Sequence, residues 1–160
     1  MAKKILLGHG RFAFVDDEDF DWLSRYCWHF HKASGGAARS TCKEGKIGLV
    51  LMHREIMGFP ETVIDHRDRD PLNNQKINLR ICSVKENSRN RGPRRNSKSG
   101  FKGVHWNKQC RKWHAQIEVN GKNIYLGLFS NVLNAARAYD TVAREYFKEF
   151  AYLNFPDGED

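Results

Sequence analysis

Asp65 and His66 stand side by side ahead of a polar loop, with Asn78, Asn87 and Asn90 close behind them. Hydrolysis of a phosphodiester at neutral pH needs a base that takes a proton from water and a cation that neutralises the charge building on the phosphate. His66 suits the first task and Asp65 suits holding the second. Adjacent residues of a strand point to opposite sides, so the two can face one ligand only where the strand ends. Arg67 opens the polar stretch in which it can end. If a helix follows, Asn87 and Asn90 share one of its faces at i, i+3 spacing, and either amide oxygen could complete a hard-cation site. One carboxylate, one amide and several waters suit a single Mg²⁺, or Mn²⁺, per site.

The elements that must position these residues can be read locally. His53-Arg54-Glu55-Ile56-Met57-Gly58 reads as a helix stopped by Gly58 and Pro60. Val63-Ile64-Asp65-His66 is a short strand by its β-branched pair, and a second apolar strand is expected around Asn78 to Cys82. Ser83-Val84-Lys85-Glu86 has the S-x-x-E spacing of a capping box, which predicts a helix just after Ser83. The local order is strand, loop, strand, helix.

In order, type and spacing, H-R-E-I-M-G, I-D-H-R-D-R-D-P-L-N-N, I-N-L-R and K-E-N-S-R-N between residues 53 and 90 resemble the HNH homing endonucleases of phages. The resemblance implies a ββα-metal finger that holds one divalent ion and cuts DNA to leave a 5′ phosphate and a 3′ hydroxyl. Residue by residue it implies that His66 activates water, Asp65 binds the metal, Asn87 binds it from the helix, and Asn78 braces the loop. Asn73 and Asn74 match loop asparagines for which local turns are the simpler role. His53 matches a family histidine and is expected to pack rather than to react. Arg80 and Arg89 are candidate phosphate clamps.

Beyond the finger, residues 88 to 112 hold nine Lys and Arg and no Asp or Glu, so the net charge of +8 is concentrated there. Arg91, Arg94 and Arg95 fall among Gly, Pro, Ser and Asn, the composition of a linker, and a cationic tether can follow phosphates by releasing counterions. After it, alternation in Phe101 to Asn107, Lys112 to Val119 and Asn123 to Phe129, with Asn120-Gly121 as a hairpin turn, predicts a three-stranded antiparallel sheet. A helix from about Val132 to Phe147 would pack on it through small alanines. Alternation assigns Val104, Trp106, Trp113, Ala115, Ile117, Val119, Ile124 and Leu126 to the helix side, with Tyr139 also in the core. His105, Asn107, His114, Gln116, Glu118, Asn123 and Tyr125 fall on the opposite face.

S-G-F-K-G-V-H-W-N, K-W-H-A-Q-I-E-V-N-G-K, I-Y-L-G-L-F, A-A-R-A-Y-D-T-V-A-R-E and A-Y-L-N-F-P resemble an AP2 DNA-binding domain over its whole length. That resemblance implies a sheet laid into the major groove, with the second face toward DNA. Lys102 joins that face by its charge, if Gly103 interrupts the alternation. Plant members carry several arginines on the face, whereas this chain has His105, Asn107, Gln116 and Glu118, so base preference does not transfer.

These readings give an α+β chain in four parts: a leader over 1–48, the finger over 49–91, a basic linker over 92–99 and the AP2-like domain over 100–156. The expected function is site-selected DNA endonuclease, with a non-cutting regulator as rival and an RNA-binding protein third, since no RNP-type aromatic motif is present. Double-stranded DNA is the expected partner, with no obligatory protein partner evident. No transmembrane or secretory segment is read, and Cys27, Cys42, Cys82 and Cys110 form no C-x-x-C pair. A cytoplasmic protein with reduced thiols is expected, in the host cytoplasm if phage-encoded. The leader, with its acidic patch Asp16 to Asp21 and the aromatics after it, is expected either to pack on the finger or to offer a second DNA surface through Arg25, Lys32 and Arg39.

Overall fold

The computed structural model describes residues 2–156. The chain is α+β, built from small antiparallel sheets, and divides into two compact units, one ending at Asn87 and the other beginning at Ser88.

The first unit opens with a hairpin of β1 (Ala2–Leu6) and β2 (Phe12–Asp16), followed by α1 (Asp17–Leu23). A three-stranded sheet of β3 (His29–His31), β4 (Gly36–Lys43) and β5 (Lys46–Leu51) comes next. Then come α2 (Met52–Ile56), the hairpin β6 (Val63–His66) and β7 (Leu79–Cys82), and α3 (Val84–Asn90), within which the division of units falls. The expected strand, loop, strand, helix order is present. Ser83 and Glu86 make the capping box, with Ser83 N–H donating to Glu86 Oε2 at 2.8 Å and Glu86 N–H to Ser83 Oγ at 3.2 Å.

Residues 49–51, read with the finger, belong instead to β5, where Leu49, Val50 and Leu51 pair with Ser40, Arg39 and Ala38. The leader and the finger share one core: Ile5, Leu7, Ala13, Val15, Leu23, Trp28, Ala37 and Met52 are buried together. Trp28 satisfies its indole N–H on Leu23 O at 2.9 Å, so its ring is buried without stranding a donor.

The second unit carries β8 (Val104–Asn107), β9 (Lys112–Val119) and β10 (Lys122–Phe129) in the order β10-β9-β8, with α4 (Val132–Phe147) packed on the sheet. Asn120 and Gly121 both take positive φ, 51° and 78°, as a two-residue hairpin turn requires. Asn131 caps α4 by accepting from Leu133 N–H at 2.8 Å. Ala135, Ala136 and Ala143 are wholly buried, which lets the helix lie close on the strands. Asp140, also buried, accepts from the N–H groups of Asn154 and Phe155 and from the Asn154 amide, at 2.8 to 3.0 Å. Asn154 in turn accepts from Lys102 N–H at 2.8 Å, so the A-Y-L-N-F-P segment is tied to the strand entry.

Two expectations for this unit change. Trp106, expected in the core, is 41% exposed and packs edge-on against Trp113, their ring centroids 5.0 Å apart. It lies near the end of the edge strand β8, and the clusters against α4 are closed instead by Phe101, Trp113, Phe129 and Phe155. The supposed tether is also anchored: Lys102 Nζ donates to the carbonyls of Arg89 and Arg91, and Arg89 sits 4.6 Å over the Phe147 ring.

Gly103 interrupts the alternation with φ +75°, and a Cβ there would lie 2.0 Å from the Tyr139 ring and 2.7 Å from Gln116 O. Gly103→Ala combines overpacking with a left-handed alanine and should destabilise the second unit by about 3 kcal/mol, measured by chemical unfolding.

Candidate active site and nucleic-acid interface

Asp65 and Arg80 are direct partners in the β6–β7 ladder, as are His66 and Leu79. Both charged side chains are buried, and Asp65 Oδ2 accepts from Arg80 Nε at 2.9 Å and Nη2 at 2.6 Å. The expected metal carboxylate is therefore neutralised by the residue expected to clamp phosphate. A buried carboxylate needs such a partner, because desolvation of an unpaired charge costs several kcal/mol.

His66 ends β6 and has different neighbours. Its ring meets that of His53 edge-on at 5.1 Å, and the side chain of the fully buried Asn74 acts on its titration. Burial pulls the His66 pKa below the ordinary imidazole value, against the opposing influences of Asn74 and of Asp68, Asp65 and Asp70. Burial and then the His66 and Arg54 charges pull His53 down to about 4. Both rings are therefore neutral at pH 7, the state in which an imidazole can accept a proton.

Asn78 ties the loop between the strands. Its Nδ2 donates to Asp68 Oδ1 at 2.9 Å and Asn73 O at 2.8 Å, its Oδ1 accepts from Asp68 N–H at 3.0 Å, and its carbonyl accepts from Arg67 N–H at 2.9 Å. Partial burial pushes the Asp68 carboxyl upward, but the Asp70 N–H and the Asn73 and Asn78 amides outweigh it and hold the pKa below the ordinary value. Asn87 occupies the first turn of α3, half-buried, with its N–H on Ser83 O at 3.0 Å; Asn90 is buried in the second unit.

The leader holds the loop from outside. Phe14 exchanges backbone hydrogen bonds with Leu72 and Asn74 at 2.8 and 2.7 Å, while Asp16 accepts from Gln75 Nε2 and Lys76 N–H at 3.0 and 2.8 Å. Sequence reasoning missed Arg80 as the partner of Asp65, which was accessible in principle, since the ladder that pairs His66 with Leu79 also sets Asp65 against Arg80. His53 packs, as expected, and does so against the His66 ring, while the full burial of Asn74 had no local signal.

On the sheet of the second unit, His105, His114 and Tyr125 form a row across all three strands, with centroid separations of 4.4 and 5.0 Å. Tyr125 is 59% exposed, and His105, Glu118 and Asn123 are exposed beside it. Gln116 is half-buried, and the half-buried Asn107 turns its Oδ1 onto Cys110 N–H at 3.0 Å. Partial burial and the neighbouring His105 lower the His114 pKa. Arg91, Arg94 and Arg95 are exposed, and Arg91 and Arg94 line a cleft of about 690 Å³ together with Lys102, His105 and Gln116. The Lys102 ammonium, expected near DNA, is held by the carbonyls of Arg89 and Arg91.

The chain is 28% identical over 154 residues to an uncharacterized HNH endonuclease of Acanthamoeba polyphaga mimivirus, across 92% of this chain and 76% of that protein. It is 41% identical over 59 residues to Protein 3.8 of Escherichia phage T7, spanning 37% of this chain and 49% of that protein. An AP2-like ethylene-responsive transcription factor of Arabidopsis thaliana is 39% identical over 69 residues, or 43% of this chain and 14% of its own length. No family model matches the chain. Among the described residues no helix is long and apolar enough to cross a membrane. A viral protein named for endonuclease activity and plant proteins named for AP2-type transcription factors thus share similarity with one short chain.

The histidine pair makes stability pH-dependent. Unfolded histidines bind protons near pH 6.5 while His53, and in the same direction His66, resist protonation in the fold. Stability is therefore complete above about pH 6.5 and declines as pH falls toward 4, by on the order of 3 kcal/mol for His53 alone. Urea titrations followed by tryptophan fluorescence should show this decline, and His53→Leu should flatten it.

Proposed function

We propose that this protein is a divalent-metal-dependent endonuclease of the HNH type, which hydrolyses duplex DNA at a position chosen by the sheet of its second unit. The observation that carries the reading is His66, held neutral by burial at the end of a β-hairpin whose loop is braced by Asn78. A neutral imidazole there can take the proton from an attacking water. The water oxygen bonds to phosphorus, the P–O3′ bond breaks, and the departing 3′ oxygen is protonated, which leaves a 5′ phosphate and a 3′ hydroxyl.

The donor chemistry suits one hard cation. Asp65 offers a carboxylate and Asn87 an amide oxygen, and no group of three or more His, Cys, Asp and Glu suited to a metal occurs among the described residues, so water and substrate would fill the remaining positions. Mg²⁺ or Mn²⁺ bound there would supply Lewis-acid neutralisation of charge on the phosphate. Asn78 keeps the loop in register with the hairpin.

The second unit would select the site. The His105, His114 and Tyr125 row presents polar rings to a groove, and the cleft beside it brings Arg91 and Arg94 within reach of the same duplex. The AP2-type relatives support this use of the sheet. Homing of a mobile element is a further implication of the phage resemblance.

One observation favours a second reading, a non-cutting DNA-binding regulator: Asp65 as it stands is the ion-pair partner of Arg80. Cleavage of supercoiled plasmid in Mg²⁺ or Mn²⁺ against EDTA decides between the two. The nuclease reading expects metal-dependent nicked or linear product, reduced at least about 100-fold by His66→Ala while DNA binding stays within a few-fold. Binding without cleavage in either metal, on DNA shown to contain the bound site, would establish the regulator.

A further inference from the structure

The Asp65–Arg80 pair puts two demands on one carboxylate oxygen. Arg80 donates to Asp65 Oδ2 from both Nε and Nη2, and both side chains are about 6% exposed. A divalent ion taking Asp65 as ligand through either oxygen must share one buried carboxylate with a guanidinium, which puts like charges against each other, or displace it. Displacement into an apolar interior would strand the arginine at a cost of several kcal/mol. Displacement toward a phosphate would not, because the planar guanidinium fork matches phosphate oxygens as well as it matches a carboxylate.

We propose that Arg80 gates the metal site: in the DNA-free chain it is the resident cation on Asp65, and a phosphate of the bound duplex draws it away and opens the carboxylate to the divalent ion. The inference rests on the nuclease reading and adds an order of events to it. The carboxylate carries a counter-cation in both states, so neither leaves a buried charge uncompensated. The chain discriminates against loading metal, and hence against hydrolysis, until DNA is in place. Because binding free energies are reciprocal, metal must raise DNA affinity by the same factor by which DNA raises metal affinity.

The test measures Mn²⁺ binding by the loss of free-ion electron paramagnetic resonance signal, on the full chain carrying His66→Ala so that DNA stays intact. A mixed-sequence linear duplex at low salt serves as the probe, held by phosphate contacts. Gating expects weak Mn²⁺ binding by the DNA-free parent, tightened at least about tenfold by duplex. Adding Arg80→Gln should raise Mn²⁺ affinity without DNA by a similar factor and leave duplex little further to add. Should Arg80→Gln fail to fold by circular dichroism, Arg80→Lys keeps the charge without the fork, and its DNA-free Mn²⁺ affinity should exceed the parent's.

If the folded Arg80 variant binds Mn²⁺ no more tightly than the parent without DNA, while Asp65→Asn abolishes binding, the gate is wrong and the metal site stands. If Asp65→Asn leaves Mn²⁺ binding unchanged, or no Mn²⁺ binds even with duplex, the metal assignment falls and takes the gate with it.

Discussion

A carboxylate and a guanidinium buried together across a hairpin of two four-residue strands are the constraint around which the first unit is arranged. Asp65 and Arg80 face each other in β6 and β7, and neither could leave water alone. Their pairing favours one register of the two strands, because a slip of one strand by one residue would put the two charges on opposite faces of the hairpin. That register sets His66 opposite Leu79 and brings Arg67 N–H to Asn78 O at the mouth of the loop. The histidine then sits half-buried beside His53 and Asn74, and that burial lowers its pKa.

A two-stranded hairpin and one short helix are too small to bury much of their own surface. The leader supplies the missing mass and ties down the loop as well: Phe14 pairs with its backbone and Asp16 takes two of its donors. The acidic patch of the leader thus has a structural use, with Lys76 paired to Glu18 and Asp19 at 2.5 and 3.1 Å. Arg39 similarly joins the sheet of the leader to α2 through both oxygens of Glu55.

The second unit answers a different problem, that of leaving one sheet face open while the other is fully covered. Alanines on α4 and the missing side chain at Gly103 allow close approach, and buried Asp140 gathers the donors of the C-terminal segment. Covering one face this closely leaves His105 and Tyr125 exposed on strands that are otherwise packed, with half-buried His114 stacked between them.

Periodicity, capping chemistry and turn residues made most elements legible in the sequence: the hairpin at Asn120-Gly121, the capped helix after Ser83, the three strands and their covering helix, and the sorting of most residues on that sheet. These are local properties, encoded within a few residues of where they act. The residues proposed for chemistry, Asp65, His66, Asn78 and Asn87, were legible only as types and order. What only the tertiary structure decided is who touches whom: that Arg80 neutralises Asp65, that His53 and Asn74 flank His66, that the leader clasps the loop, that Lys102 holds the carbonyls of Arg89 and Arg91, and that Trp106 stays outside the core. Each depends on strand register or on packing between segments far apart in the chain, and burial, which sets both charge pairing and histidine protonation, exists only once those segments meet.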